Sequence, residues 1–331
     1  MPGKRAVARE PRAAATAREA PEVSVVVPVF NEEMHLGPLH DRITRALEGA
    51  GERFEIVYVD DGSSDRSLEL LRGFVARDPR ARVVEFSRNA GQHAAVLAGF
   101  EESRGAIVVT LDADLQNPPE EIPKLLAAIR DGNDVAGGWR AARQDPLFRR
   151  LASGVINRLT SKALGVRMKD YGCMLRAYRR EVVDGVVRCG EASAFIPALA
   201  NTFAKRIVEV PVAHEERLGS RSRYGLLRLV NLQFDLVTGF SHLPLKVIST
   251  TGILVALAGL GFGLFLLVRR LIVGPEVEGV FTLFAILFVL VGAQFLALGV
   301  LGEYVGRVYR EVRRRPRFVV RKVWRSGEGG S

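Results

Sequence analysis

Hydrophobic positions fall along this chain in two regimes. Between residues 23 and 131, short apolar runs alternate with amphipathic stretches. VSVVVPVF (23–30), FEIVYVD (54–60), RVVEFS (82–87) and AIVVTLD (106–112) read as strands, and segments near 32–50, 65–77, 91–103 and 119–131 read as helices. Alternation of this kind predicts an α/β domain with a mostly parallel sheet and helices on both faces. In such sheets ligands bind beyond the carboxyl ends of the strands.

The second regime begins after residue 246. Residues 247–268 (VISTTGILVALAGLGFGLFLLV) and 280–301 (VFTLFAILFVLVGAQFLALGVL) carry no charge, and each reaches the roughly 20 residues that cross a bilayer as a helix. Uncharged runs this long rarely occur as soluble core helices. Both are therefore read as membrane spans, joined by a short link from Arg269 to Gly279, so that the flanking parts lie on one side of the membrane. That side is expected to be cytoplasmic, because residues 303–331 hold nine Lys and Arg against three acids, and basic flanks stay inside. Arg269 and Arg270 oppose this, but they sit at a helix end where long side chains snorkel. Ahead of the spans, Arg228, Asn231, Asp235, Thr238 and His242 form a polar stripe on an otherwise apolar stretch from Gly225 to His242. Such a helix lies in the membrane interface or docks on the soluble domain.

Composition then narrows the class. A chain of 331 residues has room for one large domain or two, and 48% hydrophobic with 25% charged residues excludes a disordered or collagen-like polymer. The formal charge of +10 is concentrated beside the second span, and no nucleic-acid motif accompanies it, so nucleic acid is not an expected partner. Two cysteines, Cys173 and Cys189, are too few for a disulfide framework or a four-cysteine zinc site. The first 22 residues contain no apolar stretch of the secretory kind and read as a flexible extension.

Acidic residues gather where the strands end: Asn31-Glu32-Glu33, then Asp60-Asp61-Gly62-Ser63-Ser64-Asp65, then Asp112-Ala113-Asp114. Turn and capping chemistry accounts for any one of these clusters. Such clusters at three of the four strand ends point to a ligand. An Asp-x-Asp is common by chance, but at the end of an extended run the two side chains point the same way, so Asp112 and Asp114 suit one hard cation, Mg²⁺ or Mn²⁺. Such an ion completes its shell with phosphate oxygens, which suggests a diphosphate-containing ligand. The chain has no phosphate-binding loop of the Gly-x-x-x-x-Gly-Lys type, no Gly-x-Gly-x-x-Gly after the first strand and no His-Glu-x-x-His. Its five histidines, His35, His40, His93, His214 and His242, are scattered, with His93 the one of interest.

The segments PVFNEE (28–33), DDGSSD (60–65), DADLQNPPEEIP (112–123), DYGCMLRAY (170–178) and Arg217 to Tyr224, followed by two spans, resemble family-2 glycosyltransferases of the GT-A fold that act on polyisoprenyl phosphates. Within that group, RNAGQHAAVLAGF (88–100), DYGCMLRAY and GAQFLALGVLGEYVGRVY (292–309) are most similar to the branch that transfers 4-deoxy-4-formamido-L-arabinose to undecaprenyl phosphate. The organisation this implies is an extension (1–22), a GT-A domain (23–224), an interfacial segment (225–246), a transmembrane hairpin (247–301) and a basic cytoplasmic tail (302–331). It also implies a multi-pass protein of the inner (cytoplasmic) membrane with both termini cytoplasmic.

The resemblance assigns residues as well. Pro28, Phe30, Glu32 and Asp60 would hold the uridine part of a UDP-sugar donor, with Asp60 accepting a hydrogen bond from the uracil ring. Asp112, Asp114 and Gln116 would hold the metal against the diphosphate, and Arg140, with Arg143 behind it, would assist with phosphates. Two positions depart from related patterns: Gln92, where many relatives with other sugars carry Lys, and Gly219, displaced by one place. The expected reaction is inverting transfer, in which a lipid phosphate oxygen attacks the anomeric carbon as the nucleoside diphosphate leaves. A phosphate monoester is largely dianionic at neutral pH and needs no strong base, so Asp170 acts either as a base or as an orienting group. Arg217 foremost, with Arg176 and Arg221, would anchor the lipid phosphate through the planar guanidinium fork. The expected partners are the UDP-sugar, undecaprenyl phosphate, the bilayer and further copies of the chain, up to a tetramer, since Gly259, Gly261 and Gly263 permit close helix packing. Glucosyl, mannosyl and N-acetylhexosaminyl donors remain alternatives. A processive synthase would need more spans and a Gln-x-x-Arg-Trp segment absent here, and intact Asp112, Asp114 and Asp170 argue against a non-catalytic scaffold.

Overall fold

The computed structural model describes residues 20–140, 173–189, 196–215, 243–273, 280–312 and 318–327. Within them the chain runs β1 (Val23–Val29), α1 (Leu36–Gly49), β2 (Phe54–Asp60), α2 (Ser67–Arg77), β3 (Ala81–Phe86), α3 (Gln92–Glu102), β4 (Ile107–Thr110), a single 3₁₀ turn (Pro119–Glu121), α4 (Ile122–Arg130) and β5 (Val135–Arg140). It continues with β6 (Arg176–Arg179), α5 (Arg180–Cys189), α6 (Ile196–Phe203), β7 (Ile207–Val212), α7 (Leu243–Val273), α8 (Val280–Val312) and β8 (Val320–Arg325). The four strands and four helices read from the apolar pattern are all present, displaced by a few residues at most at their ends.

These strands form one sheet in the order β7-β5-β6-β4-β1-β2-β3-β8. β6 and β8 run antiparallel to their neighbours, and every other pairing is parallel. Alternate side chains of β1 and β2 divide between two cores. Val23, Val25, Val27, Val29, Ile56 and Tyr58 pack with the buried stripes of α1, α2 and α4, while Val26, Val57 and Val59 pack with α3, α5 and α6. Two-sided burial explains why these strands read as continuous apolar runs. On the second side α3 comes very close to the sheet: a Cβ added at Gly99 would lie 2.2 Å from Val26 Cγ1.

The chain moves from β1 to β2 to β3 in one direction, then returns to place β4 on the other side of β1. The connections on either side of β1 therefore part company at the carboxyl ends of β1 and β4, which is where open α/β sheets form their ligand crevice. Fixing that crevice fixes which loops can meet: 30–33, 61–66 and 111–117.

Two features differ from the sequence reading. Glu22 is already part of the fold rather than of an extension, since its amide donates to Arg53 O at 2.7 Å and its carbonyl accepts from Ile107 N at 3.0 Å. The segment after α8, read as a basic tail, returns to the sheet as β8 and pairs antiparallel with β3, Val83 opposite Trp324. Phe318 stacks on Phe86 with ring centroids 4.9 Å apart. The charges of VRKVWR hide this strand, because it lies at a sheet edge where polar residues are tolerated.

The two apolar runs lie within α7 and α8, and α8 extends through Val312, well past Leu301. Among the described residues one helical stretch, Val289–Gly306, is long and apolar enough to cross a membrane, with a mean hydropathy of 1.6, and α7 contributes a shorter apolar stretch, Thr250–Gly259. Ile253, Leu254 and Leu264 on α7, and Leu283, Val289 and Phe295 on α8, are exposed. The polar-striped segment Gly225–His242 lies outside the described residues.

Candidate active site

The first two strand-end loops are stitched to each other by side chains that sequence reading grouped only as acidic clusters. Asn31, at the end of β1, has a positive φ of 56° and accepts from Ser64 N at 2.8 Å through Oδ1, while its own amide donates to Ser63 Oγ at 3.1 Å. Asn tolerates that left-handed conformation better than most residues. Glu32 N donates to Ser67 Oγ at 2.9 Å and Glu33 N to Asp65 Oδ2 at 3.2 Å. Burial works to raise the Asp65 carboxyl, but hydrogen bonds from Ser67 and from the Glu33 amide hold it below the ordinary range. The Glu32 carboxylate is half-buried against His35 Nδ1 at 2.7 Å.

Within this frame, three of the residues expected to hold a nucleoside lie at the carboxyl ends of two neighbouring strands. Pro28 lies in β1 opposite Val59, Phe30 follows at the strand end with its ring 46% exposed, and Asp60 closes β2 opposite Val29. An exposed aromatic residue and a buried acceptor at adjacent strand ends are the groups a flat heterocycle that also donates a hydrogen bond would use. Burial pushes the Asp60 carboxyl up, against the pull of its hydrogen bond with Ser63. Asp61 behaves similarly: burial raises it, while it accepts from Ala90 N at 2.6 Å and Gly91 N at 2.9 Å.

The third loop carries the cation candidates. Exposure alternates along it: Leu111, Ala113, Leu115 and Asn117 are buried, whereas Asp112, Asp114 and Gln116 are partly open. The three candidate ligands are thus the partly open residues of this loop, which leaves the extended conformation after β4: residues 113–117 turn and bend rather than continue the strand. Leu115 sits at φ 60° with its side chain in the core, an uncommon conformation for leucine that costs of order 1–2 kcal/mol and is compensated by that burial. Gln116 N donates to Asp114 Oδ1 at 3.1 Å. Two carboxylates and an amide oxygen are the hard donors that Mg²⁺ or Mn²⁺ takes, so the residues present fit such an ion. Among the described residues no three His, Cys, Asp or Glu side chains form a group that could hold a metal by itself.

Other expected residues divide. Arg140 is the last residue of β5, at the same end of the sheet, opposite Val212. Asp170, Arg143, Arg217, Gly219 and Arg221 lie outside the described residues. Arg176 is fully buried in β6 and its Nε donates to Cys173 O at 2.8 Å, so it braces the core and presents no free fork to a lipid phosphate. His93, in the first turn of α3, is held down to about 4 by burial and is neutral at physiological pH.

Several ties were not read from sequence. Gln92 Nε2 donates to Asp112 Oδ1 at 2.6 Å. Cys173 Sγ lies 3.6 Å from Asn117 Oδ1, and Thr110 Oγ1 donates to Met174 O at 2.6 Å. Arg42 grips Glu120 and Glu215 at once, with Nη2 at 2.8 Å from each, while Glu215 N donates to Gln116 O at 2.9 Å. No local motif signals contacts that join residues 20 to 173 positions apart.

Comparison with known proteins accords with this geometry. The model for "Glycosyl transferase family 2" matches residues 24–186. An undecaprenyl-phosphate 4-deoxy-4-formamido-L-arabinose transferase from Edwardsiella ictaluri (strain 93-146) is 52% identical over 310 residues, covering 92% of this chain and 95% of its own. Its counterparts from Aeromonas hydrophila subsp. hydrophila (92% of this chain, 94% of its own) and Yersinia pestis (strain Pestoides F) (91% and 93%) are each 51% identical. Among solved structures, glucosyl-3-phosphoglycerate synthase from Mycobacterium tuberculosis, in complex with Mn²⁺, UDP and its product, is similar at 21% identity and a TM-score of 0.48, over 66% of this chain and 78% of that one. Half of all positions shared along more than nine-tenths of the length places this chain in glycosyl transferase family 2.

Proposed function

We propose that the chain transfers 4-deoxy-4-formamido-L-arabinose from a UDP-sugar to undecaprenyl phosphate at the cytoplasmic face of the inner membrane, with inversion at the anomeric carbon. The sugar and acceptor are those named for relatives half-identical to it over most of its length. One observation supports the site: the loop after Asp114 holds both Cys173 and Glu215. Cys173, three residues after Asp170, packs on Asn117, and Glu215, two residues before Arg217, hangs from Gln116. In the sequence these two held residues border the stretches that carry Asp170 and Arg217, the residues proposed to handle the acceptor.

In this reading Phe30 and Asp60 take the uracil, and Asp112, Asp114 and Gln116 would hold Mg²⁺ or Mn²⁺ beside the diphosphate, with Arg140 assisting. A divalent ion there would stabilise charge on the departing nucleoside diphosphate. Arg217 orients the lipid phosphate for attack, and Asp170 positions the acceptor or takes its remaining proton.

The membrane reading gains support from β8. Because β3 precedes α7 and β8 follows α8, and the two strands pair in one sheet, the chain between them crosses any membrane an even number of times. That favours a hairpin of α7 and α8 over a single span, and the exposed apolar side chains on both helices suit lipid contact.

The test is incubation of the detergent-solubilised protein with Mn²⁺ or Mg²⁺, undecaprenyl phosphate and a panel of UDP-sugars including the formamido-arabinose donor, with mass spectrometry of the lipid. A lipid carrying one formamido-arabinose is the expected product. A product with another sugar overturns the donor assignment, and UDP binding without any lipid product overturns the acceptor.

A further inference from the structure

We propose that Gln92 is a positioning residue for the donor site, setting the orientation of the Asp112 carboxylate toward a divalent cation through a donor that itself carries no charge. The inference rests on the reading above that Asp112 and Asp114 hold such a cation.

The geometry forms a relay from a buried acid to an accessible one. Asp61, 3% exposed, accepts the backbone N–H groups of Ala90 and Gly91 at 2.6 and 2.9 Å. Gly62 lies beneath the same loop so closely that a Cβ there would sit 2.8 Å from Asn89 N and 2.9 Å from Arg88 C. Residues 88–91 are thus held from two sides. Gly91, at φ 95°, turns the chain into α3, and Gln92 is the first residue of that helix. Its amide then reaches across the crevice to Asp112 Oδ1 at 2.6 Å. The backbone that leads into Gln92 is held by Asp61, so the side chain starts from a fixed point at the edge of the crevice.

The chemistry of the amide matters as much as its place. A carboxylate has about four acceptor directions, so the hydrogen bond at Oδ1 restricts the rotamer while using one of them. A neutral donor does this without cancelling charge. An ammonium at the same distance would neutralise Asp112 and repel a cation beside it. Partners that orient a metal-binding carboxylate typically alter metal affinity by 10- to 100-fold when removed.

The experiment measures Mn²⁺ binding to the full-length protein in detergent with saturating UDP, using the electron paramagnetic resonance signal of free Mn²⁺. Gln92→Ala is expected to weaken Mn²⁺ binding about tenfold, and Gln92→Lys to weaken it further. Because Gln92 is exposed, neither change should move the unfolding midpoint measured without metal. Asp112→Asn serves as the reference. If Asp112→Asn loses Mn²⁺ while Gln92→Ala and Gln92→Lys bind it as wild type does, the positioning role is overturned and the cation site stands. If Asp112→Asn also binds like wild type, the cation reading falls and the role of Gln92 falls with it.

Discussion

Trp324 donates its indole N–H to Glu85 Oε2 at 2.9 Å across a separation of 239 residues. This bond fastens the strand that follows the long helices to the far edge of the catalytic sheet. Arg72 reinforces it, donating to the same Glu85 oxygen at 3.0 Å and lying 4.2 Å over the Trp324 ring. Glu85 is only 3% exposed in its side chain, so its charge depends on these donors. Trp324→Phe keeps most of the apolar packing but removes the donor. Hydrogen bonds to charged groups contribute about 1.5–3 kcal/mol, and the lower end is expected here because Arg72 and Arg321 remain. Hydrogen exchange at Val320–Arg325 should quicken in the variant. Unchanged exchange there would show that β8 is held by its backbone ladder alone.

That strand also shows where sequence reading stops. β1 to β4 were legible because burial on both faces makes each a short β-branched run, and because three of them end in or beside acids. β8 was not, since Arg321, Lys322 and Arg325 dominate its composition and their partners, Glu85 among them, lie in another part of the chain. β5 was hidden for a different reason: it contains Gly137-Gly138, and a Cβ at Gly138 would come within 3.0 Å of Leu175 O. Glycine there reflects a close neighbour rather than a turn. The candidate site divides along the same line. Asp60, Asp112 and Asp114 could be placed from local pattern, whereas the hold of Gln92 on Asp112 and of Arg42 on Glu215 exists only once the sheet order is set.

Asp114→Ala removes one of the two carboxylates expected to face the diphosphate. Turnover should fall by about a hundredfold or more, the scale of losing a principal transition-state charge interaction, with helix content and membrane insertion unchanged. Chelation by EDTA should abolish wild-type turnover, and Mg²⁺ or Mn²⁺ should restore it. Full activity in EDTA would refute the metal assignment.

Gly62 combines two constraints, a φ of 69° and backbone atoms of Arg88 and Asn89 under 3 Å from where a Cβ would stand. The left-handed conformation costs an alanine roughly 1–2 kcal/mol and the overlap about 1–3 kcal/mol more. Gly62→Ala should therefore lower the unfolding free energy by about 2–5 kcal/mol and shift loop 88–91 off Asp61. Gly51, at φ 70° with nothing within 4 Å of its Cβ position, gives the control, in which only the conformational part is lost. Equal losses at the two sites would mean that the close approach of loop 88–91 is energetically unimportant.

Arg42 ties α1 to Glu120 and to Glu215, and these two acids hold its guanidinium pKa above the ordinary value. Glu120 and Glu215 are about half exposed, so solvent screening limits the contribution to stability to about 1 kcal/mol or less. The consequence for function is larger, because Glu215 leads directly into Arg217. Arg42→Met should leave the unfolding midpoint and the KM for the UDP-sugar near wild type while raising the KM for the lipid phosphate several-fold. A rise confined to the UDP-sugar KM would place Arg217 on the donor side.

Asp60 yields a pH dependence whose sign follows from its burial. Its carboxyl is raised above the ordinary range by burial, so the free site retains a proton at pH values where an exposed aspartate has lost it. A uracil ring donating to Asp60 favours the ionised form, and binding must then expel that proton. Affinity for a UDP-sugar should accordingly fall as pH drops through the raised value, by at most about tenfold per pH unit, and level off above it. For stability the sign is opposite: the ionised, buried carboxylate disfavours the fold at neutral pH, and that cost disappears as protonation sets in. Asp60→Asn should then unfold at a higher temperature than wild type at pH 7.5 and bind a UDP-sugar more weakly, with the acid-side slope of affinity removed. Calorimetric titration between pH 4.5 and 8 measures both slope and plateau, and an unchanged slope in Asp60→Asn would move the uracil contact to another acceptor.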